Sequence, residues 1–286
     1  MRKDRQYYSR RRGLHKVTHI DLPCLRDLFV TILRDFRQRH YFQEALGYYC
    51  VDAGDVPGTI GADEEGFFLR KLRKPGLWPI DDNATQYSED DLFDVIELLH
   101  DLVSKPLEGR YHSYGECGWH YETFDRHSGQ QEYRTEINGL LCDYGCGYEL
   151  SPDGEIQEIP EVGLGTLLEG TLYELDPTNV EKRVREAIQR FRRRGSSLDD
   201  RRVSVRALAD VLEFLRPQLG KVITRKDDGT LFRIANEFGI RHHDVKQKTD
   251  YDEAVWFSWM FYFYLATIHA VTRLIMSGQE KGSPHP

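Results

Sequence analysis

The sequence predicts a mainly α-helical protein: an N-terminal helical domain, a short middle segment that contains a β-hairpin, and a C-terminal four-helix bundle. Three observations lead to this fold class. Apolar residues recur at three- and four-residue steps near both ends of the chain, which places them on one face of a helix. Helix-capping residues precede several of these stretches. The middle of the chain is rich in Gly, Tyr and His and follows neither the helical nor the strand period.

The composition is that of an ordinary globular protein, since 40% of the 286 residues are hydrophobic and 30% are charged. Five cysteines are an odd number in a chain of this length, and no apolar leader follows Met1. These features favour a cytoplasmic location and free thiols. The net charge of −8 disfavours a protein that wraps nucleic acid over its whole surface, because the mean field repels phosphate.

Residues 1–108 are predicted to form the N-terminal domain. An apolar stripe predicts a helix over residues 21–40, and residues 45–50 are expected to continue helically. Residues 54–66 contain four glycines and a proline, which predicts a long loop.

The last element of this domain is a helix that begins at Ser88. Ser88 and Asp91 have the spacing of a capping box, and a strongly apolar stripe follows them. Pro106 stops the helix, so a domain boundary is expected near residue 108.

Residues 109–160 are predicted to be an irregular segment with two regular elements. A short amphipathic helix is expected over residues 132–141. Two β-prone runs then flank the sequence Ser-Pro-Asp-Gly at residues 151–154, which is a turn signal and predicts a hairpin.

Residues 161–286 are predicted to form the C-terminal bundle. Asp176 caps the first helix, with Pro177 at its first position, and Ser197 begins the second. The third helix is expected over residues 230–238 and the fourth over 252–276. Short connections favour antiparallel neighbours.

The fourth helix contains the most apolar stretch of the chain. Residues 254–268 are fifteen mostly apolar residues, fewer than the roughly 20 that a membrane-spanning helix needs. A buried bundle helix is therefore expected, and no membrane partner.

Two basic blocks stand out on this acidic chain. Residues 1–16 hold seven Lys or Arg and one acid, and residues 182–206 hold ten Lys or Arg and three acids. Such blocks bind a polyanion locally or form a solvated helix face. The residues predicted to contact nucleic acid are Arg192, Arg193, Arg194, Arg201 and Arg202.

The candidate catalytic residues are Arg241, His242, His243 and Asp244, which lie together at the junction of two apolar helices. Arginine can hold a phosphate with two hydrogen bonds, and histidine can move the proton of an RNA 2′-hydroxyl near neutral pH. Asp244 would orient an imidazole. This chemistry needs no metal, and no cofactor is expected. The same residues could instead form an ion-pair network that ties the loop to the bundle.

These features resemble the HEPN superfamily, in which a helical bundle carries an Ile-Arg-polar segment between its last two helices, here Ile240-Arg241-His242. The layout is similar to abortive-infection (phage-defence) proteins with an accessory N-terminal domain. The matching stretches are Tyr8-Ser9-Arg10-Arg11-Arg12, Asp21-Leu22-Pro23, Leu25-Arg26, Glu136-Ile137-Asn138 and Gly147-Tyr148-Glu149-Leu150.

The resemblance implies a metal-independent RNA endonuclease that acts in antiviral defence as a homodimer, with RNA as its partner and an unknown protein or phage trigger. In the superfamily a histidine follows the arginine after four to six residues, but those positions here are Lys246, Gln247 and Lys248. Two hypotheses therefore stay open. Either His242 or His243 performs the proton transfer, or the bundle is a non-catalytic module that binds RNA or a protein.

A metal site is a weaker hypothesis from the same sequence. His112, Cys117, His120, Cys142 and Cys146 include enough ligands for a structural zinc ion, although their spacing matches no common zinc knuckle. Single thiols are the ordinary interpretation, and no metal is included among the predicted site residues. Cys24 and Cys50 fall in or beside expected helical segments and are expected to be inert.

Overall fold

The structure is a computed structural model, which describes residues 8–12, 20–145, 147–160, 164–168, 170, 172, 175–219 and 252–282. The chain divides into two compact units, Met1–Ile159 and Pro160–Pro286. The protein is mainly helical with small two-stranded antiparallel sheets, in agreement with the predicted class.

The first unit contains helices and four strand pairs. The helices are α1 (Tyr8–Arg11), α2 (Leu22–Gln38), α3 (Gln43–Leu46), α4 (Glu64–Leu72), α5 (Ile80–Asn83), α6 (Glu89–Leu102) and α7 (Arg126–Leu141). The antiparallel pairs are β1 (Gly47–Cys50) with β2 (Gly54–Pro57), β3 (Lys105–Pro106) with β6 (Phe124–Asp125), β4 (Gly109–His112) with β5 (Gly118–Tyr121), and β7 (Tyr148–Leu150) with β8 (Ile156–Glu158).

The helices with both a cap and an apolar stripe form as predicted. Asp21 caps α2, since its Oδ1 accepts a hydrogen bond from the Cys24 amide at 3.0 Å. The capping box of α6 is complete, because Ser88 and Asp91 each bind the backbone amide of the other. The hairpin around residues 151–154 is also confirmed as β7–β8.

Residues 45–66 differ from the prediction. The helix ends at Leu46 because Gly47, with φ +82°, turns the chain into β1. A Cβ at Gly47 would lie 2.0 Å from the Val56 carbonyl oxygen, so the hairpin needs glycine there. The expected loop instead contains β2 and the start of α4, which Asp63 caps.

Residues 109–130 are also more regular than predicted. They form the β4–β5 hairpin and the first turn of α7, which begins at Arg126 and is capped by Asp125. The sequence places a domain boundary at residues 108–109. In the structure α7 and β7–β8 share one apolar core with α2 and α6, and the division falls after Ile159.

Aromatic and aliphatic residues of α2, α6 and α7 fill the core of the first unit. Phe36 contacts Tyr41 and Tyr133 edge-to-face, at ring-centroid distances of 4.9 and 5.5 Å. Gly129 on α7 allows close approach of the chain after α6, because a Cβ there would lie 2.6 Å from the Lys105 amide nitrogen.

In its described residues, the second unit contains the short helix α8 (Gly165–Leu168) and three long helices. These are α9 (Lys182–Arg192), α10 (Leu198–Leu219) and α11 (Glu253–Gly282), and a π-helical turn at Pro177–Glu181 precedes α9. Asp176 caps that turn, and Ser197 with Asp200 caps α10, as predicted. The Phe191 and Phe261 rings stack at 3.8 Å between α9 and α11. The predicted helix at residues 230–238 lies outside the described residues.

Within the part of the chain that the structure describes, Glu253–Ser277 is long and apolar enough to cross a membrane. The core helix of a globular unit meets the same criteria. Phe257, Phe261 and Leu265 on this helix are fully buried against α9 and α10. In its most apolar window 39% of the residues are buried, and the exposed apolar side chains of this helix include Val255, Trp256, Trp259 and Leu274.

Two glycines of α7 should respond oppositely to alanine. Gly129→Ala should lower the free energy of unfolding by about 1–3 kcal/mol, because the new methyl group meets the backbone of Ser104 and Lys105. Gly139→Ala is the matched control: it has open space and should raise that free energy by about 0.5–1 kcal/mol through helix propensity. Urea unfolding of both variants tests this, and equal effects would contradict the described packing of α7.

Candidate metal centre

Four potential metal ligands meet in the first unit: Cys50, His112, Cys117 and His120. One ligand atom from each of them lies within 4.8 Å of all the others. Among the described residues, no other group of three or more His, Cys, Asp or Glu side chains brings its ligand atoms this close together.

The four ligands come from two hairpins that are distant in the chain. Cys50 is the last residue of β1, where the chain turns back toward β2. His112 ends β4 and His120 lies in β5, while Cys117 lies in the turn between them. Gly115, Glu116 and Gly118 all have positive φ, and this tight turn brings Cys117 back toward His120.

A buried glutamine holds the two hairpins together. The Gln43 amide nitrogen donates to the Trp119 carbonyl at 2.9 Å, and its oxygen accepts from the Tyr121 amide at 2.6 Å. Gln43 is the first residue of α3, the single helical turn that leads into β1, and both backbone partners lie in β5. The Tyr48 ring of β1 also stacks on the His120 ring at 4.2 Å. These contacts set the distance between Cys50 and the other three ligands.

The ligand distances fit a tetrahedral zinc ion. The Cys50 sulfur lies 3.7 Å from His112 Nδ1, and the Cys117 sulfur lies 3.3 Å from His120 Nε2. With Zn–S at about 2.3 Å and Zn–N at about 2.0–2.1 Å, a tetrahedron separates sulfur from nitrogen by roughly 3.6 Å. Both observed distances lie close to that value.

Groups around the four ligands match those of a metal site. His112 Nε2 lies 3.3 Å from Asp52 Oδ2, on the opposite side of the ring from Cys50. A neutral imidazole that offers Nδ1 to a metal carries its proton on Nε2, where Asp52 accepts it. The Val51 amide hydrogen-bonds the Cys117 sulfur, a contact that favours a thiolate.

Cys117 is poorly suited to act as a metal-free nucleophile. Burial raises the pKa of the Cys117 thiol, and contact with Cys50 raises that pKa further. A nucleophilic cysteine needs a lowered pKa, so that the thiolate is populated near neutral pH. A divalent ion displaces the thiol protons and reverses this preference.

The sequence identified three of the four ligands. His112, Cys117 and His120 come together, but Cys142 does not join them: it is exposed, and its thiol donates to the Gly139 carbonyl at 3.6 Å. Cys146 lies outside the described residues. The fourth member of the cluster is Cys50, which lies at the end of strand β1 and not in the helical continuation that the sequence predicts for residues 45–50. The β-prone run Tyr48-Tyr49-Cys50-Val51 was the available signal for a strand.

The predicted catalytic residues Arg241, His242, His243 and Asp244 lie outside the described residues. The predicted RNA-contacting residues have varied surroundings. Arg192 is buried, and Arg193 is exposed. The Arg201 guanidinium lies over the Phe191 ring at 5.5 Å, and that of Arg202 lies over Phe257 at 5.4 Å. Arg194 is partly exposed.

Searches against protein-family models, curated proteins and solved structures find no match for this chain. Function is therefore inferred from the residues and their geometry.

The contact between Asp52 and His112 predicts a role in metal affinity. Asp52→Ala should weaken zinc binding by about tenfold, the low end of the effect of such carboxylates, because Asp52 is largely exposed. Asp55→Ala removes the same charge from an exposed position of the same hairpin and should leave the affinity unchanged. Competition with a chromophoric chelator measures both affinities. Equal affinities of the two variants would argue against the orienting role of Asp52.

Proposed function

We propose that the first unit is a zinc-binding module, in which Cys50, His112, Cys117 and His120 hold one structural Zn²⁺. The observation that carries this proposal is the convergence of four ligand atoms within 4.8 Å of one another, with the Cys50–His112 and Cys117–His120 pairs close to the sulfur–nitrogen separation of a zinc tetrahedron. The contact between His112 Nε2 and the Asp52 carboxylate supports the proposal independently.

The donor atoms favour zinc over other common ions. Two thiolates and two imidazoles are the ligands of structural zinc sites, whereas Ca²⁺ and Mg²⁺ prefer oxygen. Iron–sulfur clusters mostly use four thiolates. Two thiolate and two imidazole ligands that can surround one ion tetrahedrally thus favour zinc among the first-row metals.

Four protein ligands also favour a structural role. A catalytic zinc ion keeps one position for water or substrate, but here side chains would fill the tetrahedron. Cys50 is only 7% exposed and the other three ligands are partly exposed, so the ion would be shielded from solvent on the Cys50 side. The ion would cross-link the β1–β2 and β4–β5 hairpins, and its binding free energy would contribute to the stability of this unit.

Metal content tests this proposal directly. Full-length protein purified with zinc should contain about one Zn²⁺ per chain by elemental analysis. Cobalt substitution should give the visible absorption of tetrahedral Co²⁺ and its thiolate charge-transfer bands. Removal of the ion should lower the melting temperature by several degrees or more, because structural zinc supplies folding free energy.

Cysteine variants provide the matched controls. Cys50→Ser and Cys117→Ser should each lose stoichiometric zinc, since serine is a poor zinc ligand. Cys24→Ser and Cys142→Ser alter exposed thiols outside the cluster and should retain it. Absence of zinc from the parent protein, or equal zinc content in all four variants, would refute the proposal.

A second candidate function concerns the second unit. We propose that this unit binds RNA, as the resemblance to HEPN proteins implies, with α9, α10 and α11 as three helices of a four-helix bundle. One observation favours it: α9 buries Val184, Ala187 and Phe191, while its opposite face exposes basic side chains. The exposed basic residues in and after α9 are Lys182, Arg183, Arg185, Arg190 and Arg193. A cationic face on a chain of net charge −8 is suited to a local contact with phosphates.

In this proposal the unit acts as a metal-independent endoribonuclease of antiviral defence, with Arg241 on the phosphate and His242 or His243 in proton transfer. The alternative is a non-catalytic module that binds RNA or a protein partner without cleavage. The protein would act as a homodimer, as the resemblance implies.

RNA cleavage in the presence of EDTA separates these alternatives. The parent protein should cleave labelled RNA, and the His242→Ala/His243→Ala variant should not. Zinc content must be measured after EDTA treatment, because loss of the proposed structural ion would lower activity without any catalytic role of metal. Binding without cleavage, with an affinity that falls steeply with salt, would indicate the non-catalytic module.

A further inference from the structure

We propose that the metal centre is also a site of thiol oxidation: a hydroperoxide oxidises Cys117, Cys50 then forms a disulfide with it, and Zn²⁺ is released. This inference rests on the proposed zinc function of the same four residues.

Access from solvent differs between the two sulfur atoms. Cys117 lines a solvent-open cavity of about 400 Å³, which it shares with His40, Tyr49, Glu116 and Trp119. Cys50 does not line this cavity and is only 7% exposed. A molecule as small as a hydroperoxide can therefore reach Cys117 through the cavity, and Cys117 is the residue that reacts first.

The second sulfur atom is in position to complete the reaction. The sulfur atoms of Cys50 and Cys117 lie within 4.8 Å of each other. The distance is short enough that a small movement of the turn at residues 115–118 brings the two sulfurs into bonding range.

The reaction balances with a hydroperoxide as the only oxidant. The Cys117 thiolate attacks the peroxide oxygen, the O–O bond breaks, and hydroxide (or alkoxide) leaves, so that Cys117 becomes a sulfenic acid. The Cys50 thiolate then attacks the Cys117 sulfur, the S–O bond breaks, and a second hydroxide leaves. The two thiolates lose two electrons in total, and the peroxide is reduced by two electrons.

Loss of both thiolates releases the metal. His112 and His120 alone retain two of four ligands, which is too few for a structural zinc site. The new disulfide joins the same two hairpins that the ion joined, since Cys50 lies in β1 and Cys117 lies beside β5. The oxidised and the zinc-bound protein thus keep a cross-link at the same place in the fold.

The test treats zinc-loaded, full-length protein with hydrogen peroxide in the presence of a chromophoric zinc indicator. Release should approach one Zn²⁺ per chain, and peptide mass mapping should find a Cys50–Cys117 disulfide in the released fraction. Reduction with a thiol reagent followed by added zinc should restore the bound ion. A Cys24→Ser/Cys142→Ser variant lacks two exposed thiols outside the site and should release zinc at the same rate.

A Cys50→His variant tests the second step. It keeps four zinc ligands but has no thiol to attack the oxidised Cys117, so mapping should find Cys117 in sulfenic or sulfinic form without a disulfide. Mapping of the parent protein decides the question even if this variant does not fold. If the protein binds zinc but retains it through peroxide treatment, the inference is wrong and the proposed zinc function stands. The same conclusion follows if zinc is released but the disulfide forms between other cysteines. A parent protein that never binds zinc overturns the proposed function and this inference with it.

Discussion

The close approach of two β-hairpins is the constraint on which the candidate metal centre depends. The buried Gln43 side chain, in the helical turn α3 that leads into β1, binds the backbone of β5 at Trp119 and Tyr121. A buried amide without partners costs free energy, so these two bonds fix the position of α3 relative to β5. Cys50 then lies opposite the three ligands that the β4–β5 hairpin supplies.

Each hairpin by itself is a small element. Two-stranded hairpins are marginally stable in water, and both of these are four residues long on each strand. A metal ion that takes one ligand from one hairpin and three from the other would stabilise their contact more than either strand pair can. The same two sulfur atoms can hold the hairpins together in two ways, through zinc or through a disulfide. Metal binding and oxidation would then be alternative states of one cross-link.

The second unit is organised by a different interaction. Apolar faces of α9, α10 and α11 bury one core cluster, in which the Phe191 and Phe261 rings stack. The arginines of this unit fall into two groups for that reason. Those near the core, such as Arg201 and Arg202, lie over aromatic rings, while Arg183 and Arg190 point away from the apolar face. The density of charge in the sequence does not distinguish these two groups. Whether an arginine packs on an aromatic ring or extends into solvent depends on the helix face that it occupies and on the residues packed against that face.

The sequence by itself determined the elements whose signals are local. The helices that start at Leu22 and Glu89 have both a capping side chain and a full apolar stripe, and the β7–β8 hairpin has its turn residues within four positions. The short strands β1, β2, β4 and β5 carry weaker signals, since strand pairing depends on a partner and not on the strand alone.

Only the tertiary structure decided the composition of the metal centre. The sequence indicated His112, Cys117 and His120, with Cys142 and Cys146 as the other candidate ligands. Cys50 joins them because Gly47 ends the helix before it and Gln43 ties β1 to β5, and neither effect leaves a pattern in the spacing of Cys and His residues. A metal site needs ligands that are close in space. The distance between segments that are far apart in the chain is set by packing and hydrogen bonds, and the spacing of residues in the sequence does not show these contacts.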